Sequence, residues 1–244
     1  MKKFRFIFFV LAVLISCEKM EQQGEVTYAV ATGKSVSSIS IFNSTDDQLH
    51  AYEYLYDEDG KVIGVDKDGK FYSYQYQDGV LVNITCDDAY GSSFFSWNLT
   101  YDGEDNLIGY SVYMNDEFVI KYAFDYKGKM ISCLNVLKSE DSDSAEITMP
   151  YVWKGSNLDS IGSVEFAYNQ IVDNFNVPIP QLHVAFQGFF YDPLFVGFSR
   201  SENLMHTSQS SSLSEYSYQR NDEGDICRID VDNGRLYYLI EYAD

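Results

Sequence analysis

Apolar and polar residues alternate along most of this chain, and the apolar partner is usually aromatic. Tyr52, Tyr54 and Tyr56 recur at every second position. So do Tyr72, Tyr74 and Tyr76; Phe95, Trp97, Leu99 and Tyr101; Tyr122, Phe124 and Tyr126; Met149, Tyr151 and Trp153; Tyr216 and Tyr218; and Tyr238, Ile240 and Tyr242. A period of two puts each set on one face of a β-strand. Aromatic residues suit such a half-buried, pleated surface.

Shortly after most stripes comes a hexad that opens on a small, turn-forming or polar residue and is apolar at its third and usually its sixth position. These are "GKVIGV" (60–65), "GVLVNI" (79–84), "DNLIGY" (105–110), "GKMISC" (128–133), "SNLDSI" (156–161), "GDICRI" (224–229) and "GRLYYL" (234–239). Stripe, tight turn and hexad make a β-hairpin that recurs along the chain. The predicted fold is mainly β: a curved, open antiparallel meander of repeated hairpins, too few to close into a shell.

The stretch "YLYDEDGKVIGVDKDGK" (54–70) holds two copies of Asp-x-Asp-Gly. A calcium loop of the EF-hand type needs a third Asp and a Glu six residues after the glycine, where this chain has Asp66. Gly60 falls in the turn slot that Gly79, Gly128 and Gly224 fill elsewhere, with varied residues leading in. Asp57, Asp59 and Asp66 therefore read as turn residues, with Gly60 at positive φ.

Residues 169–207 break the rhythm. Pro178 and Pro180 suit a helix start, and Leu182, Ala185, Phe186, Phe189, Phe190 and Leu194 recur at helical spacing. The pattern predicts a short helical insert packed on the concave face of the sheet.

The chain begins with Lys2, Lys3 and Arg5, then an apolar run from Phe6 to Ile15, too short to span a bilayer at ~20 residues. This is the pattern of a secretory signal. The "LISC" stretch (14–17) resembles a bacterial lipobox. The resemblance implies a signal peptide over 1–16 and lipidation of Cys17, which ties the protein to the cell envelope, on the outer membrane. Residues 17–40 then hold the lipidated cysteine, a tether and the first strand; 41–244 form one β-repeat domain.

Loss of the three signal cations leaves a formal charge of about −23, against −20 for the whole chain. Such a surface is repelled by phosphate backbones, which argues against nucleic acid as a partner. The remaining Cys86, Cys133 and Cys227 match no zinc spacing and read as small buried residues rather than a disulfide.

The "Y-x-Y-D-x-x-G-x-apolar" units resemble YD or RHS-type repeats. Together with the lipobox, the Pro-containing insert, "SRSENL" (199–204) and the closing "YSYQRNDEGDICRI" (216–229), they resemble the DUF4595-type lipoproteins of Bacteroidetes over most of residues 50–242. That resemblance implies no activity.

Candidate chemistry is sparse. His50, His183 and His206 are far apart in sequence. "ATGKS" (31–35) lacks the first glycine of a phosphate-binding loop, because Tyr28 stands there. Asp87 with Asp88, and Glu140 with Asp141 and Asp143, are acidic neighbours of the kind that 37 carboxylates produce by chance. No catalytic, cofactor-binding or metal-binding residue is assigned. The function expected is a non-enzymatic envelope lipoprotein that acts as a scaffold or binds a glycan or an envelope protein. The alternative is a glycan hydrolase, which would show two carboxylates ~5–9 Å apart in a cleft beside exposed aromatics.

Overall fold

The computed structural model describes residues 34–87, 94–140, 145–172, 175, 177, 201 and 203–243, all within one compact unit that runs from Ala31 to Asp244. The described residues form sixteen strands. The first eight are β1 (Val36–Asn43), β2 (Gln48–Tyr56), β3 (Val62–Lys67), β4 (Lys70–Gln77), β5 (Val80–Asp87), β6 (Phe94–Tyr101), β7 (Leu107–Met114) and β8 (Glu117–Lys127). There follow β9 (Met130–Leu137), β10 (Ile147–Lys154), β11 (Asn157–Ile161), β12 (Val164–Val172), β13 (Asn203–Gln209), β14 (Leu213–Arg220), β15 (Ile226–Val231) and β16 (Leu236–Tyr242).

Every strand pairs antiparallel with its sequence neighbours, and β1 pairs with β16 through Ile39 opposite Ile240 and Ile41 opposite Tyr238. The meander of hairpins is therefore as expected, but the sheet is not open: it closes into a barrel. The first strand, expected within 17–40, is β1, which runs on to Asn43 with Val36, Ile39 and Ile41 turned inward. Two strands went unread, β12 and β13: both run into the stretch 169–207, and β13 has no aromatic stripe. Among the described residues there is no helix. Residues 169–172 belong to β12 and 203–207 to β13, while the helical stripe from Leu182 to Leu194 lies outside the described residues.

The aromatic stripes mark the inner wall. Val36, Ile39, Val65, Ile84, Val112, Ile229 and Tyr238, drawn from six strands around the ring, show no solvent exposure. They belong to one apolar cluster with Tyr52, Trp97, Tyr122, Phe124 and Tyr151. Phe175 and Val177, beyond β12, join it. A sixteen-stranded barrel can enclose an aqueous channel, but this one encloses a hydrophobic core.

The outer wall is mainly polar, though Leu55, Ile63, Ile108, Val152 and Leu239 are exposed on it. Ser38, Glu53, Gln75, Asn98, Thr100, Asp125, Glu165, Ser217, Gln219 and Glu241 alternate with the inward residues, and most of them are exposed. Apolar inside and polar outside is the reverse of a membrane-spanning barrel, which shows lipid an apolar band.

Two kinds of corner join the strands. At the first, an Asx side chain accepts two backbone N–H groups: Asp57 Oδ1 from Asp59 (3.0 Å) and Lys61 (2.8 Å). Asp102 does the same for Glu104 and Asn106, Asn221 for Glu223 and Asp225, and Asn43 for Thr45 and Asp47. The residue three after each Asx has positive φ: Asp46, Gly60 (77°), Asp105 and Gly224. The second kind is a two-residue loop: both φ values are positive in Asp68-Gly69 and Asp78-Gly79, and only the glycine's is in Gly128-Lys129. Gly60 and Gly224 thus share a slot, as expected. Gly79 and Gly128 belong to two-residue loops, and "GRLYYL" falls on β16, out of phase with the other hexads.

A ring of aromatic clamps runs around the lower rim, the end where odd-numbered strands begin. The phenol of Tyr56 donates to the carbonyl of Val36 (2.6 Å), Tyr76 to Val62 (2.7 Å), Tyr101 to Leu81 (2.6 Å) and Tyr126 to Leu107 (2.7 Å). The Trp153 indole donates to Ile131 (2.8 Å), Tyr242 to Ile226 (2.8 Å), and Tyr218 to Met205. In each case the last inward aromatic of an even strand ties down the start of the odd strand before it. The hairpin β11–β12 departs from this rule.

Candidate functional site

β11 and β12 meet in the least complete seam of the barrel. Their ladder holds Ser160 opposite Glu165 and Ile161 opposite Val164 at the upper end. Below that, the chain returning toward β13 takes part. The Leu158 N–H donates to Ser201 Oγ at 3.0 Å. The side chains of Asn157 and Asn203 interlock: Asn157 Nδ2 donates to Asn203 Oδ1 (3.0 Å), and the Asn203 N–H donates to Asn157 Oδ1 (2.9 Å).

Tyr168 of β12 occupies the clamp position of this hairpin, and its phenol bonds the Ser201 side chain. Burial pushes that phenol up to about 12; the Ser201 bond pulls it back, and the Asp159 charge adds to the rise. It stays protonated at neutral pH. Asp159 itself pairs with Lys154 Nζ at 2.6 Å. Phe175 and Val177, beyond β12 in the chain, are themselves buried in the core.

Chemically the seam is an amide–hydroxyl network. It gathers Asn157, Tyr168, Ser201 and Asn203, and among the described residues no histidine joins them. Sequence patterns gave no hint of it, because Asn157 and Asn203 are 46 residues apart.

The residues singled out from sequence are scattered. Cys17 lies outside the described residues, as do His183, Asp88, Asp141 and Asp143. His50 Nδ1 lies 2.8 Å from Asp68 Oδ2 at the upper rim, and His206 is exposed on β13. Asp66 Oδ1 accepts from the Gly69 N–H at 2.7 Å. Lys34 pairs with Glu223, and the Ser35 carbonyl accepts from Ala243 (2.8 Å), so both ends of the barrel chain are fastened at the lower rim. Asp87 ends β5, and Glu140 accepts from the Tyr113 phenol at 2.5 Å. Cys86 is buried, whereas Cys133 and Cys227 are half-buried, and among the described residues none of the three is disulfide-bonded. Among the described residues no group of three or more His, Cys, Asp or Glu side chains is placed to hold a metal ion.

No family model matches the chain, and a search of curated proteins finds no match. Among solved structures, the barrel is similar to a porin-like protein from Bacteroides uniformis ATCC 8492. The two are 11% identical, the TM-score is 0.44, and the match covers 86% of this chain and 99% of that one.

Proposed function

We propose that the protein is a non-enzymatic binding module, held to the cell envelope by a lipid on Cys17. The observation that supports it is where the barrel places its polar groups. The interior is apolar core, and the clamp phenols are committed to strand carbonyls. The seam's amides and hydroxyls are committed to one another. A ligand is therefore met on the outer wall or at the rims. The aromatics expected to line an open hydrolase cleft are turned inward, which favours binding over hydrolysis.

Metabolic palmitate labelling tests the anchor. Wild type takes up label and Cys17→Ser does not. Equal labelling of the two removes the lipoprotein reading.

A further inference from the structure

The outer wall is divided by charge. Over β14–β16 and β1–β3 it carries Glu215, Arg228, Asp230, Glu241, Glu53 and Asp66 at outward positions. Over β4–β7 the outward positions bear mainly hydroxyls and amides, with Phe71, Phe94 and Ile108 exposed among them. Ser73, Thr85 and Ser96 stand side by side in register across three strands, and Gln75, Asn83 and Asn98 form the row beneath. Charged residues border this area: Asp66 opposite Phe71, Lys121 opposite Ser111, Asp87 at the upper end of β5, and Glu140 beyond β9. Exposed positions usually carry ~25–35% charged residues, and the whole chain stands at −20. A neutral field on four consecutive strands therefore departs from the rest of this surface.

Its groups are ordered. Asn83 Nδ2 donates to Asn98 Oδ1 (2.6 Å) and to the Trp97 carbonyl (3.2 Å). Aromatic rings stand at both ends. Phe71 is 44% exposed, and its ring lies over Gly64, with Cζ 2.4 Å from where a Gly64 Cβ would stand. Gly64 pairs with Ser73, so the ring occupies the next place in the hydroxyl row. At the other end is Tyr113, opposite Ser96, its phenol held by Glu140. Four interstrand steps of about 4.8 Å set the two rings roughly 19 Å apart.

We infer that this wall, resting on the binding-module reading above, binds an uncharged polysaccharide along the row from Phe71 to Tyr113. Hydroxyls and amides match sugar hydroxyls as both donors and acceptors, and an aromatic ring offers an apolar face with a polar edge for a sugar ring to lie on. An anionic polysaccharide is repelled by the chain's net charge, and a cationic one is drawn to the opposite wall.

The test is native affinity electrophoresis of the full-length protein in detergent, in gels containing β-glucan, galactomannan, dextran, alginate or chitosan. At least one of the three neutral polymers retards the wild type, and retardation is unchanged between low and high salt. Phe71→Ala and Ser73→Lys weaken it at least fivefold, while Glu53→Gln on the charged wall leaves it unchanged. Circular dichroism confirms that each variant is folded. Retardation by no neutral polymer overturns the inference, as does retardation that survives both wall variants. Self-association that vanishes in Phe71→Ala also overturns it, since the occupant is then a second copy. New reducing ends in the gel polymer would instead remove the non-enzymatic reading, and the wall variants would still report where the polymer sits.

Discussion

Ser201 Oγ takes the hydrogen bond that the Leu158 amide would otherwise leave unmade, 3.0 Å away across the seam. The two residues are 43 apart in sequence. Ser201→Ala leaves a part-buried N–H without its acceptor, which costs ~1–3 kcal/mol. Urea unfolding measures the loss. Amide exchange locates it: β11 and β12 open faster, while β6–β8 keep their protection. Uniform loss of protection would mean that the seam has no local role.

Each clamp is one hydrogen bond between a phenol and a strand-end carbonyl. Tyr101→Phe keeps the ring and removes the bond, so stability falls by ~0.5–1.5 kcal/mol. Tyr242→Phe does the same on the other side of the ring. The double variant loses the sum of the two within ~0.5 kcal/mol, since the sites share no partner. Chemical denaturation of the three variants checks this, and strong non-additivity would show that the clamps act as a unit.

At the 57–61 corner, Asp57 serves as an acceptor for two backbone amides, and Asn does the same work at positions 43 and 221. Asp57→Asn is therefore nearly neutral, and Asp57→Ala costs ~1 kcal/mol. Gly60 has φ of 77°, with nothing within 4 Å of a built Cβ. Gly60→Val thus suffers from backbone strain alone, ~1–3 kcal/mol. Thermal melts with calcium and with chelator coincide for all of these. A calcium-dependent rise in the wild type that disappears in Asp57→Asn would make the corner an ion site.

Burial raises the phenols of Tyr151, Tyr168, Tyr216 and Tyr238. A folded-state value above the unfolded ~10 means that the native state holds its protons more tightly. The resulting stability is complete below pH ~10 and is lost as pH rises through the folded values, of which Tyr168's is about 12. Phenolate absorbance of these residues should rise together with the loss of circular dichroism. Full ionisation of all tyrosines before any unfolding would contradict their burial.

Much of the wall was readable from the chain. The tyrosine stripes lie on one face of even strands, and Gly60 is left-handed. Both follow from rules that act over a few residues: side-chain alternation and turn sterics. Closure acts over the whole chain. Ile39 meets Ile240 because fifteen preceding corners bring them round, and no local pattern in "VSSISIFN" announces it. The seam is hidden for the same reason, since Asn203 is an ordinary polar residue until Asn157 stands beside it. The two corner types both place a left-handed glycine near a hairpin, so spacing alone merged Gly60 with Gly79.

Pairing of β1 with β16 gives the repeat array no terminal member. An open stack of repeats grows longer when a unit is duplicated, and it needs specialised caps at its ends. Here each hairpin has a neighbour on both sides. Duplication or loss of one would change the circumference, and with it the volume that the inward tyrosines must fill. The unit count is thus coupled to the sizes of residues on every other strand: a hairpin inserted between β4 and β5 would be felt at Tyr238 across the ring.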